Sequence, residues 1–242
     1  MSSRRLEILR AIVDEYVSTQ EPVGSKSIAD HHGLGISPAT IRNEMAVLED
    51  EGLITQPHTS AGRIPTDLGY RVFVDKLATV KQLSTAERRA IETFLQGSHD
   101  LEELLKRSAK LLADITKQVA VVTYPILGEG REKIAISGTA NLARSGEDLG
   151  LTLSPILEAL EEQVVLLRLL DEVHSTVHVR IGSEQTEANL QSTSLVTVGY
   201  GGDSSQLGAV GVLGPTRMDY AGSIAAVDAV ARYVGRFINE GA

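Results

Sequence analysis

The stretch between residues 24 and 63 constrains the fold most, because it places two short helical patterns on either side of a glycine turn. Gly33 and Gly35 bracket that turn, and glycine adopts the backbone angles of a tight turn more readily than other residues. Ser37 and Pro38 come next, where a serine caps the following helix and a proline at its first position loses no hydrogen bond. The sequence therefore predicts two helices joined by a tight turn.

The second of these helices is predicted to have one buried face and a polar beginning. Ile41, Met45 and Leu48 recur at helical spacing and form a single apolar stripe. The side chains near its start can instead meet phosphates and base edges. We expect Ser25 to cap the preceding helix. A short helix, a tight turn and a capped helix with a polar beginning are typical of a helix-turn-helix, although a plain helical hairpin with a solvated face has the same spacing.

The residues after the second helix predict a small β-hairpin. Residues 53–55 form a short β-type run, residues 56–63 are rich in turn residues, and Ile64 with Pro65 returns to an apolar pattern. A helix-turn-helix followed by such a hairpin is the winged form, which favours DNA binding over the plain helical hairpin. We place four candidate residues at the wing: His58, Thr59, Ser60 and Arg63.

We predict a DNA-binding surface that combines both helices and the wing. Side chains at the start of the second helix are expected to read base edges or contact phosphates. Ser25, Lys26 and Arg63 are expected to position the DNA backbone, and Arg63 can also lie in a minor groove, as basic arms do. The full candidate set is Ser25, Lys26, Ser37, Thr40, Arg42, Asn43, His58, Thr59 and Arg63.

The net charge is unfavourable for general binding to DNA. The 242 residues have a formal net charge of −9, and residues 1–77 alone hold 8 Lys+Arg against 11 Asp+Glu. Because phosphate contacts supply most non-specific affinity, we expect weak binding to arbitrary DNA and heavy reliance on a dimer. A specific surface would gather basic side chains on one face, while Glu49, Asp50 and Glu51 point away. The basic residues expected on that face are Arg4, Arg5, Lys26, Arg42 and Arg63.

Helical patterns flank this segment on both sides. Residues 4–17 predict a scaffold helix, and Thr66 is expected to cap a helix that runs to about Leu77. Together with the winged segment, these helices form a predicted first domain, residues 1–77.

Residues 78–117 are predicted to contain a linker and two helices. A hinge at residues 78–83 comes before Ser84, which has the capping-box spacing to Glu87. An amphipathic helix follows from about Leu101. These helices are predicted to form a dimer seam, with the alternative that they cover the second domain.

From residue 118 onward the hydrophobic period changes from helical to strand-like. Residues 137–142 are expected to form a glycine turn, Ser154 with Pro155 to open a helix, and residues 222–238 to form a last helix. Residues 164–170 are ambiguous between helix and buried strand. The fold class is therefore predicted to be α+β, with residues 118–242 forming an antiparallel sheet with helices against it. The predicted strands cover residues 118–125, 133–136, 174–181, 194–200 and 207–213.

The sequence offers little support for catalysis. It has no cysteine, which excludes disulfides, thiolate zinc sites and cysteine nucleophiles. Its six histidines show no metal-ligand spacing, and Gly208, Gly211 and Gly214 do not form the nucleotide motif G-x-G-x-x-G. Arg217 and Tyr220 lie between a strand and a helix, where ligands often bind, with structural turn chemistry as the favoured alternative. We predict no enzyme, no cofactor and no metal.

Nothing in the sequence predicts export or a membrane span. No apolar run approaches the length that a transmembrane helix needs, and the first residues lead into an amphipathic helix rather than a signal sequence. The lack of cysteine is typical of a cytosolic protein. We therefore expect a cytoplasmic protein that does not contact a membrane.

Several segments resemble the HrcA family of bacterial heat-inducible transcription repressors. The longest is GSKSIADHHGLGISPATIRNEMAVLEDEGLITQPHTSAGRIPTDLGYRVFVDKL, which covers residues 24–77. SGTANL, SPILEALEEQ, VRIGSE and GVLGPTRMDY resemble that family's carboxy-terminal segments in the same order. HTSAGR and GPTRMDY are the specific parts, and the resemblance covers most of the chain.

The resemblance implies a repressor that binds an inverted-repeat operator, the CIRCE element, ahead of chaperone operons. It also implies a homodimer whose second domain is GAF-like, and a GroEL chaperonin that keeps the repressor competent until unfolded clients occupy it. The matching DNA-reading segments are residues 37–43 and 58–63. As an alternative function, a metabolite-sensing winged-helix regulator would bind a small molecule near Arg217 and Tyr220.

The chain departs from the family in length. Family members are longer, and the missing part is expected between Pro125 and Lys133, where the family places central strands of the GAF-like domain and an inserted subdomain. Such a cut is expected to leave the sheet incomplete with an exposed edge. Solubility and dimerisation would suffer, and DNA binding by the first domain would be less affected than its regulation.

Overall fold

A computed structural model describes residues 1–58, 61–77, 83–126, 131–145, 149–171, 176–202 and 205–240. The chain divides into two compact units, Met1–Ala78 and Thr79–Ala242. Within the described ranges, every helix is too short or too polar to span a membrane.

The first unit is a helical domain with a two-stranded hairpin. Its strands pair antiparallel, with Ile54 opposite Pro65 and Thr55 opposite Ile64. This hairpin follows two helices joined by a tight turn, so the predicted winged helix-turn-helix is confirmed. The elements are α1 (Ser3–Thr19), α2 (Ser25–His31), α3 (Pro38–Asp50), β1 (Ile54–Thr55), β2 (Ile64–Pro65) and α4 (Asp67–Asp75).

The core of the first unit is built from the apolar stripes of its helices. α1, α2 and α3 all contact one another. Burying one large aliphatic side chain stabilises a fold by about 1.5–3 kcal/mol, so a few such residues dominate the stability of a domain this small. The fully buried ones here include Ile8, Leu9, Ile12, Ile28, Ile41 and Leu48.

The helices of this unit begin at the predicted capping residues, with one exception. Ser37 Oγ accepts a hydrogen bond from the backbone N–H of Thr40 at 3.2 Å, and Thr66 caps α4 in the same way. The prediction that Ser25 caps α2 is wrong. Gly24 has the extended backbone of a capping residue and makes no side-chain bond, so Ser25 becomes the first helical residue and is buried.

The second unit contains an antiparallel sheet and packed helices. First come α5 (Thr85–Leu95), α6 (Leu101–Thr116), β3 (Val119–Ile126), β4 (Arg131–Ser137) and α7 (Thr139–Arg144). Further along are α8 (Leu153–Glu161), α9 (Gln163–Asp171), β5 (His178–Ile181), β6 (Thr193–Gly202), β7 (Ser205–Pro215) and α10 (Tyr220–Glu240). The strand order is β4-β3-β7-β6-β5, with every neighbouring pair antiparallel. The α+β class is confirmed.

The sheet is buried on both faces, since adjacent residues of a strand point to opposite sides. On one face, Val119, Val121, Leu195 and Leu213 pack with α7, α8 and α9 in a single apolar cluster. Alternate residues of the same strands are also buried, and α6 and α10 contact β3 and β6. α6 therefore covers the sheet, while a role for it in a dimer seam stays a prediction.

Two predicted segments beside the sheet have different bounds. The glycine turn expected at residues 137–142 is wrong: Gly138 alone separates β4 from α7, with a φ of +82°, and α7 begins at the next residue. Glycine adopts this left-handed backbone angle more readily than other residues, so one residue connects the strand to the helix. The strand predicted at residues 174–181 is described from His178 to Ile181, and residues 172–175 lie outside the described ranges.

The helical region before β5 also differs from its prediction. Ser154 does not cap a helix, because α8 begins at Leu153 directly after a 3₁₀ turn, and the Ser154 hydroxyl donates to Glu158 inside the helix. The helix then breaks at Glu162, whose backbone is extended. The ambiguous residues 164–170 are helical, in α9.

β3 and β4 pair with each other across the region between Pro125 and Lys133, where relatives are expected to have extra residues. β3 and β4 keep one register from Ala120 opposite Ser137 to Ile126 opposite Arg131. β3 lies between β4 and β7, so β4 rather than β3 forms the edge of the sheet. The connecting residues 127–130 lie outside the described ranges, and an effect on solubility stays a prediction.

We expect Gly208→Ala to destabilise the second unit. The added Cβ would lie 2.3 Å from the carbonyl oxygen of Thr123 and 2.6 Å from the hydroxyl oxygen of Tyr200. That hydroxyl donates to the same carbonyl at 2.6 Å, and burial raises its pKa, which keeps it protonated. Overpacking costs about 1–3 kcal/mol, so the midpoint of thermal unfolding should fall by roughly 2–10 °C.

Gly24→Ser is the control for this measurement, because nothing lies within 4 Å of a Cβ at that position and serine is a favoured residue at the start of a helix. Circular dichroism melts of both variants decide the matter. An unchanged midpoint for Gly208→Ala would contradict the close contact.

Candidate nucleic-acid interface

The polar side of α3 is exposed near its beginning. Ile41, Met45 and Leu48 are buried, and this fixes the rotation of the helix about its own axis. Arg42 and Asn43 follow Ile41 directly, so they are exposed to solvent. The helix thus presents a guanidinium and an amide, the groups that pair best with guanine and adenine edges in the major groove.

The first turn of α3 is held by its cap. Ser37 Oγ accepts from the backbone N–H of Thr40, and the two side-chain hydroxyls lie 3.0 Å apart. Thr40 is half-buried while Ser37 is exposed. The two hydroxyls therefore order the start of the helix and fix the positions of Arg42 and Asn43 in its first turns.

A cleft of about 270 Å³ joins α3 to the base of the wing. It is lined by Arg42 and Met45 of α3 and by residues 23–25 and 61–63. Arg42 therefore lies beside both the beginning of α2 and the returning arm of the wing. Three segments that are distant in sequence converge here.

The wing makes a close backbone contact with the connection between α1 and α2. Val23 and Arg63 exchange two backbone hydrogen bonds, each of 2.8 Å. A Cβ on Gly62 would lie 2.5 Å from the carbonyl of Val23 and 2.6 Å from that of Pro22. Position 62 therefore requires glycine, and the base of the wing is held against the connection.

Acidic residues of α3 pair with arginines of the neighbouring elements. Arg63 donates from Nε and Nη2 to Oε2 of Glu49 at 3.0 and 2.8 Å. Arg5 donates to Glu44 at 3.0 Å and to Glu51 at 2.9 Å. The expectation that the acidic residues point away from the basic ones is therefore wrong for Glu49 and Glu51. Their carboxylates accept charge-assisted hydrogen bonds from the guanidinium groups of Arg63 and Arg5.

The predicted DNA-binding residues divide into accessible and inaccessible ones. Ser25 is only 9% exposed and lies at the buried side of α2, while Thr59 and Ser60 are outside the described ranges. Within those ranges, Lys26 and Arg42 form no ion pair, so their charges are available to phosphates. The exposed candidates are Lys26, Ser37, Arg42, Asn43 and His58.

The sequence analysis did not predict the side-chain contacts that connect the helix-turn-helix to α1 and to the wing. Glu15 of α1 accepts a hydrogen bond of 2.5 Å from Ser27, and its other oxygen lies 3.1 Å from Nε2 of His32. These contacts join α1 to α2, and the Arg63–Glu49 pair joins the wing to α3. Residues so far apart on different elements share no periodicity, so the sequence carried no signal for them.

Tyr220, one of the two candidate ligand-binding residues of the second unit, has a structural role. Tyr220 is 1% exposed, and its hydroxyl donates to the carbonyl of Thr216 at 2.5 Å and lies 2.7 Å from Ser194 Oγ. These bonds tie the beginning of α10 to β6. A ligand at Arg217 and Tyr220 stays a prediction. In the part of the chain that the structure describes, no three acidic or histidine side chains are arranged to hold a metal ion.

The fold and this surface define a winged helix-turn-helix DNA-binding protein. The family model for the winged helix-turn-helix transcription repressor HrcA, DNA-binding, matches residues 1–78, and that for the HrcA protein C terminal domain matches residues 127–224. The chain belongs to the HrcA family of heat-inducible transcription repressors, as its sequence segments predicted.

Two relatives show the extent of the similarity. The heat-inducible transcription repressor HrcA of Nocardioides sp. is 44% identical over 333 residues, which covers 98% of this chain and 99% of that protein. The protein of the same name from Streptomyces avermitilis is 43% identical over 336 residues and covers 99% of each. Both alignments are longer than the 242 residues of this chain, so the relatives contain residues without a counterpart here.

A solved structure has the same fold. It is the crystal structure of a hypothetical protein at 2.2 Å resolution, with a TM-score of 0.88, 22% sequence identity and full coverage of both chains. At this identity the likeness shows the fold alone.

We expect Ser37→Ala to loosen the beginning of α3. Loss of the cap leaves the N–H of Thr40 without its side-chain acceptor, which costs about 1 kcal/mol. Amide hydrogen exchange should accelerate in the first turn of α3 by roughly fivefold, because about 1 kcal/mol corresponds to that factor. Ser37→Asp retains an acceptor at the same place and should keep the protection. Equal exchange in Ser37→Ala and the unchanged protein would contradict the capping role.

Proposed function

We propose that the protein represses chaperone operons by occupying an inverted-repeat operator of the CIRCE type and is released on heat stress. The observation that carries the proposal is the exposed beginning of α3, where Arg42 and Asn43 lie beside the base of the wing. Membership of a family of heat-inducible transcription repressors supports the same function. Occupancy of a promoter blocks polymerase without catalysis, so the function needs no active site.

In the proposed complex, α3 enters the major groove with its beginning toward the bases. Arg42 and Asn43 read base edges, because an exposed guanidinium and an exposed amide are suited to bidentate contacts. Lys26 contacts the phosphate backbone, which fixes the register of the protein on the duplex. Ser37, Thr40, His58 and Thr59 complete the proposed contact surface.

The proposed repressor acts as a homodimer on the two halves of the palindrome. A helix-turn-helix dimer reads half-sites that lie about one helical turn, or a multiple of it, apart. The first 77 residues carry more acidic than basic side chains, so one copy would bind a half-site weakly. The helices of residues 78–117 are the proposed dimer seam.

Release on heating follows from the marginal stability of such an assembly. A small loss of stability in the dimer or in the winged domain lowers occupancy, because both copies must be folded and paired to bind tightly. The proposal places the protein in the cytoplasm, where the GroEL chaperonin restores its binding-competent fold. Unfolded clients that occupy the chaperonin then relieve repression.

Fluorescence anisotropy with a labelled inverted-repeat duplex from a chaperone promoter tests the proposal. We expect tight binding to the full repeat, binding at least ~100-fold weaker to a single half-site, and loss of binding on mild heating. A scrambled duplex of the same length is the control. Equal affinity for the repeat and the scrambled duplex would refute the repressor assignment. Equal affinity for the repeat and a single half-site would refute only the dimer.

Replacing one exposed cation of α3 gives a residue-level test. Arg42→Ala should weaken operator binding by at least about 10- to 100-fold, because one bidentate contact is worth about 1–3 kcal/mol and each copy of the dimer loses one. Arg232→Ala removes the same charge from an exposed position of α10 in the second unit, outside the proposed dimer seam, and should leave the affinity unchanged. Intact operator binding by Arg42→Ala would count strongly against the proposed role of α3.

A further inference from the structure

The ion pair between the wing and α3 has a role that differs from direct DNA contact. We propose that Arg63 and Glu49 form a clamp that holds the wing at the angle to α3 needed for both to reach the operator. Arg63 is then a positioning residue, and its charge is committed to Glu49 rather than to a phosphate. The inference rests on the proposed function, since operator binding is its readout.

The geometry of the pair favours this role. Two nitrogens of the guanidinium, Nε and Nη2, donate to the same carboxylate oxygen at 3.0 and 2.8 Å. The side chains of Arg63 and Glu49 are 24% and 33% exposed, so each is shielded from water by more than half. Two charge-assisted bonds from a planar guanidinium restrict its orientation more than a single contact does.

The backbone at Arg63 is fixed from the opposite side. Its N–H and C=O both bond to Val23, and the contact at Gly62 admits no side chain. Arg63 therefore joins three parts of the domain: the α1–α2 connection through its backbone, α3 through its side chain, and the wing through β2. A residue held at three points is suited to setting an angle.

The sign of the charge gives a second argument. Glu49 lies on the helix that is proposed to enter the major groove, where a carboxylate repels the phosphates of DNA. Without a structural role, its removal should tighten binding. The clamp predicts the opposite effect, because loss of Glu49 releases the wing.

A related pair on the far side of α3 follows the same design. Arg5 of α1 forms ion pairs with both Glu44 and Glu51, so arginines of α1 as well as of the wing hold α3 in place. The Arg63–Glu49 pair joins α3 to the wing, so its loss should separate the two DNA-reading elements.

The test compares Glu49→Gln, Arg63→Gln and the double variant, all in the full chain, by anisotropy with the inverted-repeat duplex at several salt concentrations. We expect each single variant to weaken binding about tenfold, with an unchanged slope of log affinity against log salt. The double variant should bind no worse than either single one, because both remove the same clamp.

Asp50→Asn is the matched control for the charge. Asp50 is the exposed neighbour of Glu49 on α3, so its change removes the same negative charge without touching the pair. We expect equal or slightly tighter binding from this variant. The inference is overturned if Glu49→Gln behaves like Asp50→Asn, or if Arg63→Gln lowers the salt slope by about two, as loss of one phosphate contact from each copy of the dimer does.

A thermal melt of each variant guards against loss of fold. If a single variant is unfolded at the assay temperature, the reversed pair, Glu49→Arg with Arg63→Glu, replaces it. Recovery of operator binding by the reversed pair supports the clamp, since position 63 then carries no cation. Failure of this folded, reversed pair to bind overturns the inference. Absence of specific binding by the unchanged protein would instead refute the proposed function itself.

Discussion

Burial of three aliphatic side chains on α3 decides what the first unit can present to a partner. With Ile41, Met45 and Leu48 packed inward, the rotation of the helix is fixed, and Arg42 and Asn43 have only the solvent side left. The cap at Ser37 then sets where the helix begins. The hydrophobic effect is non-directional, but helical periodicity converts it into a definite direction for the polar residues.

Features that depend on neighbours in sequence were predictable, and those that depend on distant partners were not. The Ser37 cap, the stripe of α3 and the hairpin all follow from residues a few positions apart. The buried position of Ser25, the pairing of Arg63 with Glu49 and the contacts of Glu15 each depend on elements that meet only in the folded chain. The break at Glu162 shows the same limit, since Leu160, Val164 and Leu167 recur at helical spacing across it in the sequence.

The first unit has more acidic than basic residues, and several of its arginines therefore form ion pairs that stabilise the fold. Pairing with glutamates lowers the general attraction to phosphates and at the same time connects α1, α3 and the wing. A surface organised in this way discriminates among partners by shape and by a few available charges, rather than by a strong positive field. That balance suits a protein that must ignore most of the DNA around it.

Three glycines of β7 have consequences for how the chain can diverge. At Gly208 the obstacle to a side chain is the backbone carbonyl of Thr123, which no substitution can shorten. At Gly211 and Gly214 the nearest atoms belong to the side chains of Thr197 and Gln118, at 2.7 and 1.8 Å. At Gly211 the backbone carbonyl oxygen of Val196 also lies 3.0 Å from the added Cβ. Homologues are therefore expected to keep glycine at position 208, and to exchange it at position 214 only together with a smaller partner at position 118.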